Sequence, residues 1–147
     1  MQLTDRVKNC NGCEACIVGC KYVCVKMNEK DGRKLPEIDE RGCRKCNACI
    51  LFCPLYNPVE LPEFEEFFDA PEGMDVRKRE MAPIYRATMR SVREGKHTEF
   101  VGTLCQIAAL KSLRGDQLAH NLAIFPIYCD EEQRKSEPAC MECSFYK

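Results

Sequence analysis

Four cysteines stand at residues 10, 13, 16 and 20 in CNGCEACIVGC, and the same C-x2-C-x2-C-x3-C spacing returns in CRKCNACILFCP from residue 43. Laying Cys10 on Cys43 brings Cys13 onto Cys46, Cys16 onto Cys49 and Cys20 onto Cys53. Ala15 then falls on Ala48 and Ile17 on Ile50. Two matched quartets imply a pseudo-symmetric module, and whatever this chain folds into must give eight closely spaced thiols something to do.

Disulfides are the weaker use. The amino terminus MQLTDRVKN has no apolar signal-peptide core, and the chain has no run of about 20 apolar residues such as a membrane-spanning helix needs. A cytoplasmic location is therefore expected, where thiols stay reduced and dense cysteine clusters bind metal. The total of 13 cysteines is also odd, so no complete pairing exists within one chain. At 147 residues two small units are expected. The 45% hydrophobic content includes the cysteines, so the ordinary core is lean and needs staples. A formal charge of -1 argues against nucleic-acid binding, which calls for a strongly basic balance or face.

Zinc is the competing metal, since C-x2-C pairs bind it tetrahedrally, but zinc sites usually separate their pairs by a long loop. Three cysteines at successive x2 spacing with a fourth at x3 suit a 4Fe-4S cubane, the fourth reaching over to the other cluster. This assigns Cys10, Cys13, Cys16 and Cys53 to a first cluster and Cys43, Cys46, Cys49 and Cys20 to a second. Residues 5 to 57 resemble the bacterial-type ferredoxin domain, with Pro54 after Cys53 as in that motif and Lys21 where proline often stands in the first half. Between the halves, KYVCVKMNEKDGRKLPEID predicts a hairpin turning at Asp31 and Gly32. Cys24 reads as a small residue buried in that hairpin.

After Pro54, NPVELPEFEEFFDAPEGMD is acidic and proline-bearing, a linker with one short predicted helix around EFEEFF. Phe64, Phe67 and Phe68 read as a strip packed on the domain, and the carboxylates as a solvated face. The sign reverses in RKREMAPIYRATMRSVREGK, where Ile84, Tyr85, Met89 and Val92 predict an apolar stripe on a helix from about Pro83 to Gly95. Its basic side reads as solvated, with an anion or redox-partner site as the alternative.

The carboxy-terminal part predicts a strand to Val101, a turn at Gly102 and Thr103, a helix closed by Gly115, and a strand in NLAIFPIY. Strand, helix, strand implies a parallel pair. Cys105 then falls at the helix amino terminus and Cys129 at the end of the second strand, both on the carboxyl edge where open parallel sheets carry sites. EGKHTEFVGTLCQIAALKSL, Cys129 and EPACMECSFYK are similar to the VGTPCQ stretch and later cysteines of the coenzyme F-420 hydrogenase/dehydrogenase beta-subunit family. That resemblance implies a ferredoxin domain joined to a flavin-binding reductase domain, with FAD or FMN. Leu104 replaces the family's proline, the glycine- and serine-rich segment between Pro54 and Phe100 is missing, and the chain ends at Lys147 where family members continue, so a shortened relative lacking much of the flavin enclosure is expected. Cys105, Cys129, Cys140 and Cys143 form a possible third metal site for zinc or an iron-sulfur cluster, against a reading as buried thiols and an unused pair. His97 and His120 read as surface or packing residues.

The expected fold is α+β: a ferredoxin-like two-cluster domain at 1–58, a linker at 59–80 that turns from acidic to basic, and a small α/β unit at 81–147. The expected function is electron transfer, with two clusters relaying single electrons to a redox partner protein or larger oxidoreductase complex. A self-contained flavin reductase and a zinc-stabilised interaction module are the alternatives.

Overall fold

The computed structural model describes residues 10–30, 33–70, 72, 79–114 and 120–129. Over these the protein is mixed α+β, with four helices and two small two-stranded sheets. The cysteine repeat is visible in the backbone. Gly12 and its counterpart Lys45 are both left-handed (φ 72 and 56), and so are Glu14 and Asn47 (φ 68 and 62). Each pair leads into one short helix, α1 at Ala15–Gly19 and α2 at Ala48–Leu51. Helices this short are not stable alone, so packing must hold them. The packing is close: a Cβ on Gly19 would lie 2.5 Å from Cδ2 of Phe52, the residue that matches Gly19 in the repeat.

Strands β1 (Val25–Lys30) and β2 (Arg33–Ile38) pair antiparallel, with Lys30 opposite Arg33. That register leaves a two-residue connection, Asp31 and Gly32, which lies outside the described residues. Pro36, with no amide hydrogen to donate, is tolerated because a two-stranded sheet has only edge strands. Val25 faces Ile38 and Met27 faces Pro36 across the ladder. Alternation along a strand puts both pairs on one face.

Helix α3 (Ala82–Arg93) begins one residue before Pro83, and the chain leaves it through Gly95 at φ 76. Strands β3 (Thr98–Gly102) and β4 (Leu122–Pro126) pair in parallel, connected through α4 (Leu104–Arg114). Gly115, expected to close α4, lies outside the described residues. The short helix expected around residues 63–68 is a correction: Phe68 instead makes a parallel bridge to Ile127. Its amide donates to the Pro126 carbonyl at 2.9 Å and its carbonyl accepts from Tyr128, also at 2.9 Å. The free edge beside β4 satisfies backbone groups that an isolated turn of glutamate-rich helix would leave to water.

One core joins the first half of the cysteine repeat to α3, β3 and α4. Ala15 of α1 packs in the same buried cluster as Met81, Tyr85, Phe100, Leu104, Ile107 and Leu110, with Leu61 and Phe64 packed against it. Ser112 of α4 reaches back with its hydroxyl to the Phe52 carbonyl at 2.8 Å. Among the described residues no helix is long and apolar enough to cross a membrane.

Candidate metal centres

The loop before α1 carries Cys10 and Cys13, and α1 itself carries Cys16. Left-handed backbone at Gly12 and Glu14 curls this segment, and the Asn11 side-chain oxygen accepts the Cys13 amide at 3.1 Å. Cys53 arrives from the far side of α2. The four thiols line one small pocket walled by Ala15, Met27, Pro36 and Leu55. The second half repeats this: Cys43, Cys46 and Cys49 curl around a second pocket, and Cys20 comes from the end of α1. Val25 and Ile38 wall it. The single inward face of the hairpin thus covers both pockets.

The electrostatics follow the same crossed grouping. Burial pushes the Cys13 thiol far up, and the charges of Cys16, Cys105 and Cys53 add to it. Burial likewise raises Cys16, with Cys10, Cys53 and Cys49 adding repulsion. Cys49 is raised by burial and then by Cys20 and Cys43. Cys16 therefore also senses Cys49 of the other set.

Cys24 is a fifth thiol at the second pocket. It is buried as expected from the sequence, but its sulfur lies 3.2 Å from that of Cys20. Burial pushes Cys24 up to about 12, with Cys20 and Cys43 adding to it. Burial also acts against ionising Cys20, yet hydrogen bonds from the Cys24 amide and thiol and from the Tyr22 and Val23 amides outweigh it and hold Cys20 below the usual thiol range. The contact with Cys24 thus favours the ionised form of Cys20 over that of Cys24.

Two anchors of the first pocket carry no signal in the cysteine spacing. The Tyr85 hydroxyl donates to the Cys13 carbonyl at 2.7 Å, with its ring stacked on Phe100 at 6.0 Å. The buried Glu14 carboxylate accepts the Ala82 amide at 3.1 Å, at the start of α3, where unpaired amides favour a negative group. Tyr85 is legible in the sequence only as part of the apolar stripe of α3.

No family model, curated protein or solved structure matches the chain. The site must be read from its own chemistry. Among the described residues no three His, Cys, Asp or Glu side chains are placed to hold one metal ion. A zinc site needs its ligands to converge on a single atom at about 2.3 Å. A four-iron cluster asks for four cysteine thiolates standing around a larger group, in an apolar wall that excludes water. Each pocket's four cysteines match that donor set, and the first pocket, against the core, has the more sheltered ligands.

The carboxyl edge of the β3–β4 pair carries Cys105, second residue of α4, and Cys129, three residues beyond β4. Gly102 and Gln106 shape this turn: the Gln106 side-chain oxygen accepts the Thr103 amide at 3.1 Å, and a Cβ on Gly102 would meet that oxygen at 2.9 Å. The Cys105 sulfur lies 3.0 Å from the Thr103 hydroxyl oxygen. Its influence on Cys13 places it on the first-pocket side of the molecule. Cys140 and Cys143, the other half of the possible third site, lie outside the described residues. His97 and His120 are both exposed, and His97 lies 3.8 Å from Glu99.

Proposed function

We propose that this chain is an iron-sulfur electron-transfer protein, or the electron-transfer subunit of an oxidoreductase, built on a ferredoxin-like two-cluster module. The observation that carries the reading is the crossed grouping of eight cysteines into two adjacent pockets, three from one half of the repeat and one from the other. Cys10, Cys13, Cys16 and Cys53 would hold the first 4Fe-4S cluster, and Cys43, Cys46, Cys49 and Cys20 the second. Such clusters accept and release single electrons at potentials set by charge, hydrogen bonds to sulfur and solvent exposure. The chain's part is to hold the thiolates, wall the pockets with Val25, Met27, Pro36 and Ile38, and set the Cys24 thiol against Cys20. On this reading the unit that holds the parallel pair, with Cys105 at its edge, is where electrons go; its relation to the coenzyme F-420 hydrogenase beta-subunit family rests on the sequence resemblance alone.

The test is anaerobic metal, sulfide and flavin analysis with low-temperature electron paramagnetic resonance. Roughly eight irons per chain are expected, the number two cubanes require, and Cys13→Ala is expected to retain about half. A colourless zinc protein, or unchanged iron in Cys13→Ala, would sink the assignment. Bound flavin would point instead to a self-contained reductase.

A further inference from the structure

The two pockets differ in how they meet solvent. The first lies against the shared core: Cys16 and Cys53 are buried, and Tyr85 and Glu14 tie its loop to α3. The second carries Cys46, the exposed member of the two quartets. Around it the surface is basic and apolar together. Lys21, Arg44 and Lys45 are exposed, and the Arg44 guanidinium stands 5.9 Å over the Tyr22 ring. Tyr22 is 48% exposed and Val23 70%. Asp39 and Glu40 lie to the hairpin side, with Lys26 and Glu37, and Glu40 also senses the Lys45 charge, leaving Lys21 and Arg44 as the main positive charges of the face.

An apolar centre with a charged rim is the build of a transient protein interface. We infer that the Tyr22–Val23 face around Cys46 is the docking surface for an acidic one-electron carrier protein, which makes the second pocket the outer port of the molecule and the first its inner relay. Electron transfer weakens steeply with distance, so a partner must reach the pocket whose ligand is exposed. Complementary charge brings it there and sets its orientation. This inference rests on the two-cluster reading for its purpose, but the surface itself can be tested by binding.

The experiment uses the full chain prepared anaerobically and an acidic flavodoxin as the probe. Calorimetric titration should show binding at low salt that is lost by roughly 0.3 M sodium chloride, the range in which surface charges are screened. Arg44→Glu with Lys45→Glu should weaken binding at least ~10-fold, since rim charges of the wrong sign repel the partner. Arg86→Glu with Arg90→Glu, a reversal on the exposed basic side of α3, should leave it unchanged. Carbodiimide cross-linking of the unmodified chain should join flavodoxin carboxylates to Lys21 and Lys45, a readout independent of any variant's folding. The inference is overturned if binding follows the α3 reversal and not the Arg44 and Lys45 reversal, or if cross-links fall elsewhere. Iron and sulfide counts on the same samples keep the readings apart: an iron-free chain that still cross-links at Lys21 and Lys45 refutes the clusters and keeps the docking surface.

Discussion

A single phenol hydroxyl ties α3 to the first cysteine loop. Tyr85 is fully buried, stacked on Phe100, and donates to the Cys13 carbonyl at 2.7 Å. Tyr85→Phe keeps the ring and leaves that carbonyl without the donor, a change that costs about 1–3 kcal/mol for a buried group. Burial, and then the charges of Cys13 and Cys105, push the Tyr85 pKa far above its ordinary value. The folded state therefore keeps the proton that the unfolded chain releases near pH 10. Stability contributed by the neutral phenol is fully present below that pH and is lost as pH rises above it. Chemical denaturation should show Tyr85→Phe less stable at pH 8, with the gap to the unmodified chain narrowing above about pH 10. A gap that widened with pH would mean that the phenol is not held neutral in the fold.

At the scale of elements, the close approach of α1 and α2 rests on Gly19. Its missing Cβ leaves room for the Phe52 ring, and the two residues occupy matching places in the repeat. Gly19→Ala, though favourable for helix formation in isolation, should destabilise the fold by about 1–3 kcal/mol through overpacking. Iron retention should fall with it, because Cys16 and Cys20 lie on one side of that contact and Cys53 on the other. A neutral or stabilising Gly19→Ala, measured by thermal unfolding and iron content, would contradict this account. Much of this level is legible in the sequence. The hairpin follows from its turn residues, α3 from a 3.6-residue apolar period, and the β3–α4–β4 order from successive apolar stretches separated by turn residues. The grouping of cysteines into two sets follows from the repeat. The strand-like bridge of Phe68 is not legible, because it depends on the edge of β4, far away in sequence, and local periodicity carries no trace of such a partner. Nor does spacing show that Glu14 would accept an amide from α3, or that Cys24 would stand against Cys20 and not simply fill the hairpin.

For the molecule as a whole, the two pockets are unequal in what they hold together. The first is built into the core that contains Ala15, Tyr85, Phe100 and α4, and its loop carries both anchors to α3. The second holds the surface segment around Cys46 and the root of the hairpin. Ligand binding by folded thiolates is folding free energy, so removing a ligand should cost most where the loop it frees is tied to the rest of the protein. Cys13→Ala frees a loop whose carbonyl and neighbouring carboxylate each satisfy a distant partner, whereas Cys46→Ala frees an exposed one. If one of those buried bonds fails in addition to loss of the proposed cluster, Cys13→Ala should be less stable than Cys46→Ala by about 1–3 kcal/mol. For a chain of this size that separates the two melting temperatures by roughly 2–12 °C, read anaerobically by circular dichroism or calorimetry. The same order should appear in the loss of α3 and α4 amide protection, which Cys13→Ala should lower and Cys46→Ala should spare. Equal melting temperatures and equal protection would mean that the pockets are energetically interchangeable, and the contrast between an inner relay and an outer port would lose its physical basis.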